Sequence, residues 1–92
     1  MSTLPDEAVR QRLAGGPWRL DGTVIVRELT FPDFLAAISF VNRVAEVAEA
    51  ANHHPDIHVH GWNKVRLELS THSAGGITDA DLRLAGDIDG IG

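Results

Sequence analysis

The chain has 92 residues, a net charge of −5 at pH 7 and no cysteine. This length suits one small globular domain, and we expect residues 1–92 to form a single domain. The negative charge and the lack of clustered Lys and Arg argue against a nucleic-acid partner, because phosphate contacts need clustered basic side chains. Without cysteine, disulfides and thiolate metal sites are excluded. The sequence shows neither an N-terminal targeting pattern nor an apolar run long enough to cross a membrane, so we expect a cytoplasmic protein.

The N-terminal third predicts a short helix followed by a β-hairpin. Thr3 is suited to cap the helix, and residues 15–17, Gly-Gly-Pro, end it. A strand then enters a tight turn at residues 21–22, Asp-Gly, and returns through residues 23–31, which are rich in β-branched side chains. The apolar alternation of the returning strand changes phase, which suggests a β-bulge at residues 27–28.

The longest predicted element is an amphipathic helix that Thr30 caps and that runs through Ala51. Its apolar residues form two adjacent stripes, so its apolar arc is wider than one face of a sheet would cover. The stripes are Phe34, Ile38, Val41, Ala45 and Ala48, and Phe40, Val44, Val47 and Ala51. We therefore expect part of this arc to contact another subunit or a third helix.

The C-terminal half predicts a second hairpin and a last helix. Residues 57–60 and residues 65–69 alternate as strands do, and Gly61 bends the chain between them. Thr78 begins the last helix. The order helix, strand, strand, helix, strand, strand, helix predicts an α+β fold, with an antiparallel four-stranded sheet and three helices packed on one side.

The candidate acid–base residues are three histidines. His53 and His54 follow the long helix, and Pro55 disfavours helical geometry there, so the two rings point in different directions. His72 ends a strand that is expected to pair with the segment after Pro55, which returns it to the same edge. Imidazole titrates near neutral pH and can both donate and accept a proton. Glu49 lies one helical turn before His53 and can reach the same region.

Each of these residues also has a simpler structural interpretation. A histidine in a loop is most often a solvated residue, and Glu49 suits the wet face of a helix. Asp81 has the spacing of a capping box with Thr78. His58 and His60 lie two apart on one strand face, which suits metal ligation. No third ligand stands at an obvious spacing, so exposure on the open side of the sheet is the favoured interpretation for this pair.

Taken together, the spacing of these residues resembles the signature of the pterin-4a-carbinolamine dehydratases. The positions that carry the motif are Glu49, His53-His54-Pro55, Trp62, His72 and Asp81. Neighbouring residues 29–34, 42–45, 63–65 and 69–72 also resemble the family. The resemblance extends from Trp18 over nearly all of the remaining chain, and a motif with so many fixed points is specific. Trp62, the motif's aromatic residue, is interpreted as a core or hairpin anchor.

This resemblance implies an enzyme that removes water from 4a-hydroxytetrahydropterin and gives quinonoid dihydropterin, in tetrahydropterin recycling. It implies that His53 and His72 are the acid–base pair, that His54 holds the pterin ring, and that Glu49 binds or polarises it. The other substrate-binding positions that it implies are Asn52, Ser70, Thr71 and Asp81, of which Asp81 would support a histidine. It also implies a homodimer or homotetramer that uses neither a metal nor an organic cofactor.

Three departures and two alternatives remain. Asn52 stands where the family often has Asp, and Ile57 stands where it often has an aromatic residue. The connection between Pro55 and Trp62 has the longer of the lengths that the family tolerates. The same fold also serves as a non-enzymatic dimerisation or assembly adaptor, but such relatives tend to lose the motif histidines, and this chain keeps all three. The second alternative is a small metal-binding domain that uses His58, His60 and one further histidine.

Overall fold

The computed structural model describes residues 2–91, and these contain three helices and four strands. In chain order they are α1 (Asp6–Leu13), β1 (Arg19–Asp21), β2 (Val24–Thr30), α2 (Phe34–Ala51), β3 (Asp56–His60), β4 (Lys64–Leu69) and α3 (Asp79–Asp89). The strands form one antiparallel sheet in the order β1-β2-β4-β3. The predicted α+β fold, with its three helices beside a four-stranded sheet, is confirmed. Among residues 2–91 there is no helix with both the length and the apolar character that a bilayer span requires.

The hydrophobic core lies between the helices and one face of the sheet. β4 supplies alternate residues to it, as expected for a strand that is covered on one side. The buried strand residues of this core are Ile25, Val65, Leu67 and Leu69, and the buried helix residues are Val9, Ala37, Phe40, Val44, Ala48, Leu84, Ala85 and Ile88. α2 also packs against α3, so the third helix covers part of the wide apolar arc of α2.

The predicted β-bulge at residues 27–28 is wrong. β2 pairs with β4 without interruption from Ile25 through Thr30. The phase change in the sequence has another cause, because Arg27 occupies a position that shares its sheet face with Ile25 and the core. Its guanidinium donates to the carboxylate of Asp89 in α3 at 2.7 Å. A charged side chain is tolerated beside a core when a counter-charge lies within hydrogen-bond distance.

Two helices begin later than predicted. Thr3 does not cap α1, which has Pro5 at its N-cap. Thr30 does not cap α2, because it remains in β2 and pairs with Lys64. The cap of α2 is Asp33, whose carboxylate accepts a backbone N–H of the first helical turn at 2.7 Å. The start of α3 after Thr78 agrees with the prediction.

Candidate active site

The histidine pair lies directly after the C-terminal end of α2. Asn52 ends the helix in the left-handed conformation with φ 51°, which Asn adopts more readily than most residues. The backbone N–H of His53 still donates to the carbonyl of Ala48 at 3.1 Å, and the chain then turns through Pro55 into β3. Asn52 thus has a structural role in this turn. Its predicted contact with a substrate stays a prediction.

His53 contacts a buried carboxylate at the start of α3. Its Nε2 lies 2.5 Å from Oδ1 of Asp81. The Asp81 side chain is 0% exposed, whereas the His53 side chain is 18% exposed. The other oxygen of this carboxylate accepts an O–H and an N–H donor, as an ionised carboxylate does, and an ionised carboxylate can only accept. Nε2 therefore donates to Asp81, and Nδ1 is the ring nitrogen that remains for proton exchange with a ligand.

The second oxygen of the same carboxylate explains how Asp81 can cap a helix and support a histidine at once. Oδ2 accepts the backbone N–H of Thr78 at 2.9 Å, which is the capping-box contact that the spacing predicted. Oδ2 also accepts the hydroxyl of Thr71 at 2.8 Å. The two interpretations of Asp81 are therefore compatible, because each carboxylate oxygen serves one of them.

His72 lies in a tight turn that follows β4. The backbone N–H of Thr71 donates to the carbonyl of Gly76 at 2.9 Å, and the Thr71 carbonyl accepts from Ala74 and Gly75 at 3.0 and 2.9 Å. Within this turn the His72 side chain is exposed. Thr71 itself is only 7% exposed, and its hydroxyl is engaged with buried groups. Two hydrogen bonds, through Asp81, thus connect the His53 ring to the residue before His72.

His54 is on the other side of the end of α2. Its Nε2 lies 2.7 Å from Oε1 of Glu49, and both side chains are exposed. The pair lines a cavity of about 720 Å³ beside Pro55 and Ile57. His53 lines a different cavity of about 720 Å³, between α2 and α3.

The structure therefore brings together some of the predicted site residues and separates others. His53, Thr71 and Asp81 form one hydrogen-bonded group, and Glu49 and His54 form another. His72 lines neither of the two cavities described above, and Ser70 is half-buried just before the turn. The meeting of all three histidine rings around one ligand stays a prediction.

One residue of this network, Thr78, received only a helix-starting role from the sequence. Its hydroxyl lies 2.8 Å from the hydroxyl of Thr71, and both residues are buried. A signal was available, since Thr71 and Thr78 flank a short segment rich in glycine, which can close into a turn. Buried polar side chains at the two ends of such a turn are expected to pair with each other.

Two residues outside this group bear on the alternative functions. Among residues 2–91, no three His, Asp or Glu side chains lie close enough together to hold a metal ion. His58 and His60 are exposed on β3, and the nearest acidic oxygen to His58 Nε2 is that of Glu68 at 3.8 Å. The metal-binding alternative thus lacks a third ligand in the described part of the chain.

The aromatic residue of the motif is not a core anchor. Trp62 is 62% exposed and lies in the turn between β3 and β4. Gly61 and Trp62 have φ values of 54° and 58°, so the turn uses two consecutive left-handed residues. Of the two interpretations of Trp62, the core anchor is wrong, because this turn geometry leaves its side chain outside the packed layers. The hairpin anchor stays a prediction.

Comparison with known proteins gives consistent matches along the chain. The family model described as pterin 4 alpha carbinolamine dehydratase matches residues 2–91. A protein of Acidobacterium capsulatum, provisionally named a pterin-4-alpha-carbinolamine dehydratase, is 48% identical over 92 residues, or 99% of each chain. A protein of Gloeobacter violaceus, provisionally named pterin-4-alpha-carbinolamine dehydratase 2, is 60% identical over 72 residues, which cover 74% of this chain and 77% of that protein.

Solved structures agree with these matches. The crystal structure of a transcriptional coactivator/pterin dehydratase from Brucella melitensis has a TM-score of 0.86 and 31% identity, and covers 96% of both chains. A pterin dehydratase-like protein described as a RuBisCO assembly factor in the alpha-carboxysome has a TM-score of 0.67. At 20% identity over 82% of this chain and 88% of that one, it shares the fold alone. The chain matched here over residues 2–91 belongs to the pterin 4 alpha carbinolamine dehydratase family.

Proposed function

We propose that the protein dehydrates 4a-hydroxytetrahydropterin to quinonoid dihydropterin by histidine acid–base catalysis. The reaction breaks the bond between C4a and its hydroxyl oxygen and removes the proton on N5, so that water leaves and a C4a=N5 double bond forms. Hydroxide is a poor leaving group, so an acid must protonate it while a base takes the N5 proton. Positioned acid–base groups typically accelerate such steps by about 100- to 10,000-fold. Loss of water leaves the redox state unchanged, so the reaction itself calls for no electron-carrying cofactor.

The connection between His53 and the turn that carries His72 is the observation that most supports this proposal. The 2.5 Å contact with Asp81 holds the His53 ring and leaves Nδ1 for proton exchange. The 2.8 Å bond from Thr71 to the same carboxylate fixes the start of the His72 turn. In the proposed mechanism these two imidazoles act on the C4a hydroxyl and on N5 from the two sides of the flat pterin.

The second hydrogen-bonded group supplies the binding function in this proposal. Glu49 and His54 are 2.7 Å apart and border a cavity whose other walls are mostly apolar, formed by alanines of α2 and by Ile57. A pterin is a flat heterocycle with several N–H donors, and a small pocket with apolar walls and a few polar groups is suited to it. Asn52 and Ser70, which flank the two histidine segments, are the remaining proposed substrate contacts.

The test is a stopped-flow assay with chemically generated 4a-hydroxytetrahydropterin. We expect His53→Ala and His72→Ala each to lower the dehydration rate by about 100-fold or more, because each removes one proton-transfer group. His58→Ala is the matched control, since this histidine is exposed on the open face of the sheet. Circular dichroism would verify that all three variants are folded. A His58→Ala variant as impaired as His53→Ala would contradict the assignment of the site.

A non-enzymatic assembly adaptor is the second candidate. Exposed apolar side chains at Phe34, Leu35 and Trp62 would give such a protein a surface for a partner. The presence of all three motif histidines favours the enzyme, because an adaptor has no use for a proton-transfer pair. The assay decides between the two: wild-type protein that leaves the spontaneous dehydration rate unchanged would be an adaptor.

A further inference from the structure

A buried chain of hydrogen bonds runs from Thr78 through Thr71 and Asp81 to His53. Thr78 and Asp81 are 0% exposed and Thr71 is 7% exposed. The two threonine hydroxyl oxygens are 2.8 Å apart, Thr71 Oγ1 is 2.8 Å from Asp81 Oδ2, and Asp81 Oδ1 is 2.5 Å from His53 Nε2. The chain thus connects the start of α3 with the imidazole.

The donors and acceptors available give this series of hydrogen bonds one direction. Asp81 Oδ2 takes the backbone N–H of Thr78, so this oxygen is an acceptor. A threonine hydroxyl has a single proton, and Thr71 donates it to Asp81. The Thr71 oxygen can therefore only accept from the hydroxyl of Thr78. Each group donates to the next, and the chain ends on a carboxylate that also accepts from His53.

We propose that Thr71 and Thr78 are positioning residues of the acid–base site, which set the ring state of His53 through Asp81. Two donors on Oδ2 prevent the carboxylate from rotating, so Oδ1 is held toward His53. A fixed acceptor at Nε2 keeps His53 in the tautomer that carries the Nε2 proton and presents Nδ1 to the ligand. The catalytic consequence rests on the proposed dehydration, whereas the ring state of His53 does not.

This role differs from a direct contact between Thr71 and the substrate. The Thr71 hydroxyl is occupied on both sides by buried groups, so its donor is unavailable to a ligand. Its backbone also closes the turn that carries His72, through the 2.9 Å bond to Gly76. One buried residue thus anchors both candidate acid–base groups.

The experiment compares Thr71→Val with Thr71→Ser. Valine keeps the branched shape and removes the hydroxyl, whereas serine keeps the hydroxyl. Nitrogen-15 NMR of the ligand-free protein reports which ring nitrogen of His53 carries the proton. We expect the Nε2–H tautomer in the wild type and in Thr71→Ser, and a larger share of the Nδ1–H tautomer in Thr71→Val. Thr30→Val, an exposed threonine of β2, should leave the His53 signals unchanged.

In the dehydration assay we expect Thr71→Val to lower kcat about tenfold, equivalent to about 1.4 kcal/mol in the barrier, with KM changed less than about twofold. Thr71→Ser should restore kcat. A raised KM together with an unchanged His53 spectrum would overturn the proposal, because it indicates a substrate contact. If the wild type fails to catalyse dehydration, the proposed function fails, while the ligand-free ring signals still decide the positioning role.

Two further measurements keep the proposal falsifiable if Thr71→Val does not fold. Thr78→Val removes the first donor and leaves both bonds to Asp81 Oδ2 in place, so we expect a smaller shift of the His53 tautomer in the same direction. If the nitrogen-15 spectrum of His53 is unchanged in this folded variant, the proposed direction of the hydrogen bonds is overturned. In the wild type alone, a neutral His53 that carries its proton on Nδ1 would overturn the proposal without any variant.

Discussion

Asp81 connects three segments of the chain with one carboxylate. It accepts from His53 after α2, from Thr71 in the turn after β4, and from the backbone of Thr78 at the start of α3. A fully buried carboxylate is strongly disfavoured unless donors replace its water. Three donors do so here, and the hydrogen bonds that satisfy the buried charge therefore also orient the histidine.

We expect Asp81→Asn to lower the free energy of unfolding by about 2 kcal/mol. The substitution replaces one acceptor oxygen with an NH2 group, and this donor would face a buried donor of the network. Urea denaturation followed by circular dichroism would measure the change. Asp79→Asn is the matched control in the same helical turn, where the side chain is 72% exposed and 3.9 Å from Arg12. It should change stability by less than about 0.5 kcal/mol. Equal effects of the two substitutions would mean that the buried network contributes nothing to stability.

The sequence singled out His53 and Asp81 as candidates, but it did not predict the contact between them. The capping-box spacing of Thr78 and Asp81 is local, since residues three positions apart in one helical turn must lie close together. The contact between His53 and Asp81 joins positions 28 apart in sequence, so it depends on how α2 and α3 pack. The side to which each histidine of the pair turns depends on the left-handed Asn52, a conformation that no spacing specifies.

At the level of elements, the open face of the sheet carries ion pairs that have no role in the proposed chemistry. Arg66 of β4 lies 2.7 Å from Glu68, 3.4 Å from Glu28 and 3.6 Å from Asp21. The hydrogen bond from Arg66 holds the pKa of Glu68 below its usual value, and the hydrogen bond from Arg19 does the same for the pKa of Glu28. Reciprocally, the hydrogen bond to Glu68 raises the pKa of Arg66.

These directions predict an acid-dependent contribution to stability. A carboxyl group with a lower pKa in the folded state stabilises the fold when the pH is above the pKa of the unfolded state, here 4.5. This contribution is lost as the pH falls through the pKa of the folded state. We expect the wild type to lose more stability than Arg66→Met when the pH is lowered from neutrality to below 4.5, the unfolded reference value. Urea midpoints measured across this range would show the difference.

Arg10→Met is the control for this prediction, because Arg10 is exposed in α1, away from the sheet face that carries Arg66. The acid dependence of Arg10→Met should match that of the wild type. Parallel profiles for the wild type and Arg66→Met would contradict a stabilising role for the charge pairs.

For the molecule as a whole, the element order and fold class followed from periodic patterns, whereas the errors arose where a distant partner or the geometry of a turn decides. The apolar alternation of β4 and the long apolar arc of α2 are properties of each segment alone, so they predicted the sheet and the helix correctly. Arg27 looked like an interruption of β2, because its counter-charge, Asp89, lies at the other end of the chain. Trp62 was interpreted as a core or hairpin anchor because aromatic side chains are usually buried, but the turn geometry places it outside the core.

The exposed apolar residues of α2 predict that the protein assembles with copies of itself. A chain of this length buries about 60–65% of its unfolded surface, so its core is thin and contact between copies adds useful burial. α2 leaves Phe34 51% exposed and Leu35 78% exposed, and Ile38 and Val41 on the same helix are only half-buried. Adjacent apolar residues of this kind form a patch that is more typical of a subunit contact than isolated exposed residues are.

We expect the wild type to be a homodimer or homotetramer and Leu35→Glu to shift it toward monomer, because the variant places a charge within the apolar patch of α2. Sedimentation velocity over a range of protein concentrations would measure the mass. Gln11→Glu adds the same charge at an exposed position of α1 and should leave the assembly unchanged. If the wild type sediments as a monomer throughout, the patch is free in solution, and the adaptor candidate would gain support because a different protein would then be needed to cover it.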